Sequence, residues 1–297
     1  MENRKGIILA GGKGSRLFPM TRSVNKQLQS VYDKPMIYYP LSTLMNAGIR
    51  DILIITSEDQ VNSFITLFEN GKRYGLNIEY AIQNEPKGIA DAFLIGDRVN
   101  FIDNDPVALV LGDNLFYGDK FNNKIEEISN SSDSTIFGYR VSEPGEYGVV
   151  EFNHKMEVIS IEEKPSTPKS NYAVPGLYFY DNTVVDRVKE LKPSYRNELE
   201  ITDLNNTYIE TGMNVELIKD SAAWFDTGNA EQMFEAAMFV KSIQSRTGQY
   251  VGCIEEIAFN KNFIDCCQLT DLISNMPDCH YKWYLKWKYL EGDCDNL

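Results

Sequence analysis

The sequence predicts an α/β fold built on a doubly wound, mostly parallel sheet, and three observations carry that reading. Apolar runs at residues 6–10, 52–56, 78–82 and 107–111 are rich in Ile, Val and Leu, as parallel strands buried on both faces are. Helical patterns lie between them: Tyr38, Leu41, Leu44 and Met45 share one face, as do Val61, Phe64, Ile65 and Phe68. Strand–helix alternation of this kind builds doubly wound sheets. Ligands gather there at the C-terminal ends of strands, where residues 11–16, residues 83–88, and Asp113 with Asn114 fall.

The first strand empties into a loop holding Gly11, Gly12 and Gly14. Bare backbone N–H groups in such a loop can approach an anion closely, and Arg16 adds a forked cation suited to phosphate. Lys13, Arg22 and Lys26 stand nearby. The spacing is not that of a P-loop, which needs Lys-Ser/Thr after its last glycine. Nor is it the dinucleotide fingerprint, because position 17 is Leu. A plain tight turn after a strand is the alternative to a polyphosphate cradle.

From about 134 to 180 the pattern changes to strand-like pieces at 136–139, 148–152, 158–162 and 173–180, divided by polar turns. Helical patterns return at about 182–191 and 200–211. Asn229 and Gln232 have capping-box spacing for a helix running to about Gln244. The tail beyond about 255 reads as mostly helical, with Tyr284 and Trp287 on one face, a stripe suited to core or subunit packing.

Composition narrows the function. A chain of 297 residues with 43% hydrophobic content supports one large domain or two small ones. A net charge of −14 argues against nucleic acid or an anionic membrane as partner. With no apolar run of membrane length and no signal-peptide pattern, a cytoplasmic protein is expected. Cys253, Cys266, Cys267, Cys279 and Cys294 contain no Cys-x-x-Cys knuckle and read as reduced thiols, Cys279-His280 being the one pair suggestive of zinc. With His154 and His280 as the sole histidines, a His-based triad is not expected.

Three further residues point to chemistry. Asp113 ends the run at 107–111, and Asp226 follows Ala223-Trp224-Phe225, so both carboxylates sit at strand exits. Two carboxylates on converging loops suit Mg²⁺, which keeps several waters and takes its other oxygens from phosphate. Turn or N-cap roles are the alternative for each. Lys164 precedes Pro165, which biases it toward extended geometry at a strand end. It is either a ligand-facing cation or a solvated surface lysine.

Together these pieces resemble the sugar-1-phosphate nucleotidyltransferases, and within them the glucose-1-phosphate thymidylyltransferase family. The resemblance spans nearly the whole chain. It rests on Leu9-Ala-Gly-Gly-Lys-Gly-Ser-Arg-Leu17, Lys26-Gln27-Leu28, Tyr32-Asp-Lys-Pro-Met-Ile-Tyr-Tyr-Pro-Leu-Ser-Thr-Leu-Met45, Leu111-Gly-Asp-Asn114, Glu162-Glu-Lys-Pro165, Glu198-Leu-Glu-Ile-Thr-Asp203 and Trp224-Phe-Asp-Thr-Gly228. It implies a Rossmann-like nucleotidyltransferase fold with inserted sugar-binding β elements and a helical C-terminal region. The implied division is a catalytic domain over 1–240 and a helical oligomer and regulatory region over 241–297. Nucleotide would bind at about 1–133 and sugar phosphate at about 134–228.

The resemblance also implies roles. Gly11, Gly12, Gly14, Ser15 and Arg16 would wrap dTTP, and Lys26 would neutralise its phosphates. Gln27 and Gln83 would address the base, with Gly88 giving it room. Asp113 and Asp226 would ligate Mg²⁺, and Tyr147, Gly148, Glu163, Lys164 and Val174 would line the glucose 1-phosphate site. The products would be dTDP-glucose and pyrophosphate. A homotetramer is implied, with a second nucleotide-sugar site for the end product dTDP-rhamnose at Tyr117, Gly118, Val251, Glu256 and Ile257. Departures from the family pattern are Gln29-Ser30 where Leu-Pro is usual, Lys87 for Asp, Asn197 for Gly and Asn260 for Arg. The alternatives are a uridylyltransferase on the same sugar phosphate, a catalytically inactive sugar-nucleotide-binding regulator, which would be expected to lack some of Arg16, Asp113, Lys164 and Asp226, and a nicotinamide-dependent oxidoreductase, which would want the missing third glycine.

Overall fold

A computed structural model describes residues 4–12, 14–219 and 222–291; Lys13 and Cys294 lie outside the described residues. The first half runs β1 (Lys5–Leu9), the short pair β2 (Ser30–Val31) and β3 (Lys34–Pro35), α1 (Tyr38–Asn46), β4 (Asp51–Thr56), α2 (Val61–Phe68), β5 (Asn77–Ile82), α3 (Asp91–Arg98) and β6 (Val107–Leu111). Then come β7 (Leu115–Tyr117), α4 (Asp119–Ser129), β8 (Thr135–Arg140), β9 (Gly148–Phe152), β10 (Val158–Glu163), β11 (Tyr172–Ala173) and β12 (Leu177–Tyr180). They are followed by α5 (Val184–Glu190), α6 (Ile201–Ile209), β13 (Asn214–Ile218) and β14 (Ala223–Phe225). The helices α7 (Ala230–Thr247), α8 (Ile254–Asn260), α9 (Cys266–Asn275) and α10 (His280–Lys286) complete the described chain, ending in a π-helical turn at Trp287–Glu291.

Among the described residues, one ten-stranded sheet has the order β10-β9-β11-β8-β12-β6-β1-β4-β5, with β13 beside β8. The strands β6, β1, β4 and β5 are parallel, in the register Ile7↔Leu53 and Leu109, Ile8↔Ile54 and Val110. Each of these side chains is fully buried, because helices cover both faces. Ile8, Ile54 and Val110 point into a layer with Leu41, Leu44 and Phe64, which also takes Cys253, Ile254 and Leu285 from the C-terminal helices. Ile7, Leu53 and Leu109 point the other way, toward Phe93, Tyr178, Val184 and Leu204. Beyond β6 the sheet turns antiparallel through β12, β8, β11, β9 and β10, with β13 alone running parallel to β8. The change of pattern near residue 134 is this change of sheet half.

The expected strand over 173–180 is two strands. Pro175 has no N–H for a ladder, and the chain turns through Val174, Pro175 and Gly176 before β12 begins. Gly176 is required there, since a Cβ would lie 2.5 Å from Leu111 Cδ1. The short strands β7 and β13 have no counterpart in the sequence expectation. At the start of α7, Asn229 Oδ1 accepts from the Gln232 backbone N–H at 3.0 Å. Gln232 Oε1 is buried without a partner, so the reciprocal half of the anticipated capping box is not made. A full capping box forms instead at α9, between Asp265 and Gln268. No helix among the described residues is long and apolar enough to cross a membrane.

Candidate active site

The parallel strands end in the glycine-rich loop. Gly14 has φ +58°, and a Cβ there would meet Thr21 Cγ2 at 2.8 Å and Lys26 Cβ at 3.0 Å, so the loop closes only around glycine. Its carbonyl accepts from Thr21 Oγ1 at 2.9 Å and from the Leu17 N–H at 2.9 Å. Buried Leu17 anchors the single turn Ser15–Leu17, which leaves Ser15, Arg16 and Gly12 exposed. Asn25 ties the following turn to β1. Its amide donates to Ala10 O at 3.2 Å, and its Oδ1 accepts from the Gln27 N–H at 2.8 Å.

That turn aims Lys26 at the end of β6, where Nζ lies 2.6 Å from Asp113 Oδ2. The other carboxylate oxygen accepts from Asn114 Nδ2 at 3.0 Å. Asn114, itself buried, accepts through Oδ1 from Trp224 Nε1 at 2.6 Å and from the Gly176 N–H at 3.0 Å. Antiparallel pairing of β14 with β7, Phe225 opposite Leu115, brings Asp226 beside this cluster. Thr227, fully buried at φ +31°, donates to Asp113 O at 2.6 Å. A β-branched residue at positive φ is strained, and here the hydrogen bond to Asp113 O holds the Asp226 turn onto the Asp113 turn against that strain.

The two carboxylates differ. Burial pushes Asp226 above the usual aspartate range; the Gly228 N–H, donating at 3.1 Å, works against that, and the charge of Asp113 adds to it. Lys26 and Arg16 contribute smaller favourable charge. Among the described residues no cluster of three or more acids, histidines or cysteines could hold a metal by itself. Two neighbouring carboxylates, one of them paired with Lys26, suit a hard cation that draws its remaining oxygens from water and phosphate.

On the antiparallel side, the Glu163↔Gly148 register places Gly148 and Glu163 opposite each other. Thr202 Oγ1 donates to Glu163 Oε2 at 2.7 Å, and a Cβ on Gly148 would meet that same oxygen at 3.4 Å. Tyr147 packs edge-on against Trp224, with centroids 5.3 Å apart. Its hydroxyl is raised in pKa by burial and then by the charge of Asp226, which connects the two halves of the site. The Val174 N–H donates to Gly148 O at 2.8 Å. Lys164 is not extended, as Pro165 suggested, but has φ +45°. Its N–H donates to Tyr147 O at 3.0 Å, so the sheet edge overrides the local preference. Arg196 is held by Glu200 at 2.8 Å and lies within the field of Glu163.

The two glutamines stand at the opposite rim. Gln27 packs where a Cβ on Gly112 would be 2.9 Å from its Cγ, and its Oε1 is buried without a partner. Gln83 Nε2 donates to Asp91 Oδ2 at 2.9 Å, and its Oε1 faces Gly11. Gly88 (φ +95°) owes its missing side chain first to the backbone: a Cβ would lie 2.3 Å from Leu199 O.

Away from this cleft, Tyr117, Val251, Glu256, Ile257 and Asn260 line a second cavity of about 210 Å³, with Gly118 adjoining Tyr117. Glu256 accepts from Tyr284 and Lys288. Tyr284 is buried against Tyr250 while Trp287 is 68% exposed, so the two residues that the helical spacing places on one face do not share a buried stripe.

The sequence pattern described as nucleotidyl transferase matches residues 5–243. Over 283 residues the chain is 50% identical to a glucose-1-phosphate thymidylyltransferase of Neisseria meningitidis, covering 95% of this chain and 98% of the relative. The chain belongs to the nucleotidyl transferase family, in the branch of the glucose-1-phosphate thymidylyltransferases. Among solved structures in this family, a Bacillus anthracis protein assigned the same name is 39% identical with a TM-score of 0.72, covering 80% of this chain and 94% of its own. A UDP-glucose pyrophosphorylase complexed with UDP-glucose is 25% identical with a TM-score of 0.71, covering 80% and 98%. This nucleotidyltransferase therefore carries its candidate site within the stretch that the family pattern matches.

Proposed function

We propose that this nucleotidyltransferase transfers a thymidylyl group from dTTP to glucose 1-phosphate, giving dTDP-glucose and pyrophosphate. The observation that carries the reading is the meeting of Lys26–Asp113 with Asp226 between the glycine-rich loop and the Tyr147–Glu163–Lys164 edge. A sugar-phosphate oxygen is anionic at neutral pH and attacks the α-phosphorus in line without a general base. The bond to the bridging oxygen breaks, and pyrophosphate leaves with the electron pair.

Both reactants are anions, so bringing them together dominates the barrier, and the chain's residues divide that task. The backbone of Gly11, Gly12 and Gly14 with Ser15 and Arg16 wraps the triphosphate, and Lys26 adds charge beneath it. Gln27 and Gln83 face the base next to Gly88. Lys164 holds the sugar phosphate, while Glu163, Tyr147, Gly148 and Val174 shape the sugar pocket. Asp113 and Asp226 would hold Mg²⁺, which when bound supplies positive charge to the phosphates. Fixed cations of this kind act through position and field rather than proton transfer.

The same reading makes the protein a cytoplasmic homotetramer with a nucleotide part at 1–133, a sugar part at 134–228 and a regulatory helical region at 241–297. The second cavity would take dTDP-rhamnose as feedback inhibitor. Pyrophosphate release with Mg²⁺, over a grid of nucleoside triphosphates and sugar 1-phosphates, tests the assignment. Best turnover with dTTP and glucose 1-phosphate is expected. Best turnover with UTP would move the chain to the uridylyltransferases, and a preference for ATP would refute the base assignment.

A further inference from the structure

Asp91 lies at the first turn of α3, is buried, and accepts from Gln83 Nε2 at 2.9 Å. A carboxylate has acceptors only, so it fixes which way the Gln83 amide points: the NH₂ must face Asp91. The carbonyl Oε1 is thereby turned toward Gly11, where a Cβ would meet it at 3.5 Å. One N–H of Gln83 is taken by Asp91, and the edge left for a ligand carries Oε1 and the second N–H. That edge complements an imide, whose ring N–H donates and whose carbonyl accepts. Turned over, the same amide would complement cytosine, whose ring nitrogen accepts and whose amino group donates. The two orientations are nearly isosteric, so shape alone does not choose between them.

We propose that Asp91 is a positioning residue that locks Gln83 in the imide-reading orientation, so that thymine or uracil is accepted and cytosine refused. This rests on the reading of Gln83 as a base contact. The geometry favours a lock over a merely structural pair, because Gln83 stands directly after β5 on the rim of the cradle, with its Oε1 aimed inward. An asparagine at 91 could receive the amide in either orientation and would release it.

The experiment compares kcat/KM for CTP and dTTP in wild type, Asp91→Asn, Gln83→Ala and the double variant, with Tm recorded for each. Asp91→Asn is expected to raise the CTP:dTTP ratio by about tenfold or more, the range in which a bidentate base contact discriminates. The change should fall on KM rather than kcat. In the Gln83→Ala background the second substitution should add nothing to the ratio. Asp91→Glu, which keeps an acceptor-only partner, should retain the preference for dTTP and guards against a variant that fails to fold. If Asp91→Asn leaves the ratio unchanged while Gln83→Ala collapses it, the lock is wrong and the base contact stands. If neither variant moves the ratio, the base contact falls and the lock with it.

Discussion

Lys26 Nζ lies 2.6 Å from Asp113 Oδ2, and the lysine is the more buried partner, its side chain 7% exposed against 25%. The cation is therefore already committed to a carboxylate before any phosphate arrives. Removing one member of a buried pair leaves the other charge uncompensated. Lys26→Met should leave Asp113 and Asp226 facing each other with less positive charge between them. The nucleotide-free variant is expected to bind Mn²⁺ more tightly than wild type, read by loss of the free Mn²⁺ EPR signal. Its turnover should fall about a hundredfold or more because the triphosphate loses a clamp. Unchanged Mn²⁺ affinity would show that Lys26 does not balance this pair.

Each aspartate should matter for the reaction. Asp113→Asn or Asp226→Asn is expected to lower turnover by about a hundredfold or more, and EDTA should abolish wild-type activity until Mg²⁺ is restored. Full activity of both variants in EDTA would contradict the role of the pair.

The same Asp226 should cost the free protein stability. Burial raises its pKa in the folded state above the ordinary value, so the native state holds the proton more tightly than the unfolded chain. The cost is absent below the unfolded pKa of about 4, grows as pH rises from there toward the raised folded value, and is complete above it. Asp226→Asn should therefore melt higher than wild type at pH 7 without metal, by about 2–4 °C for each kcal/mol relieved. The gap should close toward pH 4. A variant that melts lower at pH 7, or a gap that widens in acid, would reverse the sign of this argument.

Lys164 separates charge from backbone. At φ +45° it occupies a conformation that costs a non-glycine residue about 1–2 kcal/mol. Lys164→Gly should relieve that strain, Lys164→Ala should keep it, and both lose the ammonium. The glycine variant is expected to melt higher than the alanine variant. Both should show the same large rise in KM for glucose 1-phosphate with dTTP binding little changed. An unaltered sugar-phosphate KM in both would remove Lys164 from the substrate.

These residues also show how far sequence reading reaches. The parallel half was legible because Ile7, Ile8, Leu53 and Ile54 are fully buried on both sheet faces, and a continuous apolar run records that. Asp113 and Asp226 were legible one at a time, as carboxylates at strand exits. Their convergence was an expectation, but the means of it left no sequence signal, because it depends on the pairing of β14 with β7 and on the Asn114–Trp224 hydrogen bond across 110 positions. Lys164 was misjudged because a local rule about the residue before proline cannot see the Tyr147 carbonyl that holds its N–H. Asp91 left no trace, since an acid in the first turn of a helix is ordinary for reasons of dipole alone.

The second cavity yields the last expected outcome. Tyr117, Val251, Glu256 and Ile257, distant in sequence, share its lining with Asn260, whose Oδ1 accepts from Tyr289 at 3.3 Å. The cavity is thus built from α1, β7, α4, the end of α7, residues 249–253 and α8, and the C-terminal turn reaches the lining residues Glu256 and Asn260, through Lys288 and Tyr289. Among the described residues two acids line it, Asp119 and Glu256, and Glu256 is bound by Tyr284 and Lys288, so that lysine is already engaged. A diphosphate entering here would meet an amide at 260, where the resemblance described from the sequence implies a guanidinium. The missing charge-assisted contact is worth about 1.5–3 kcal/mol, or roughly ten- to a hundredfold in affinity. Feedback by dTDP-rhamnose is therefore expected to be shallow in wild type, and Asn260→Arg should tighten it by that factor without changing KM for dTTP. Inhibition curves on the two proteins decide the matter. Tight inhibition of wild type that arginine leaves unchanged would mean that position 260 does not face the phosphates.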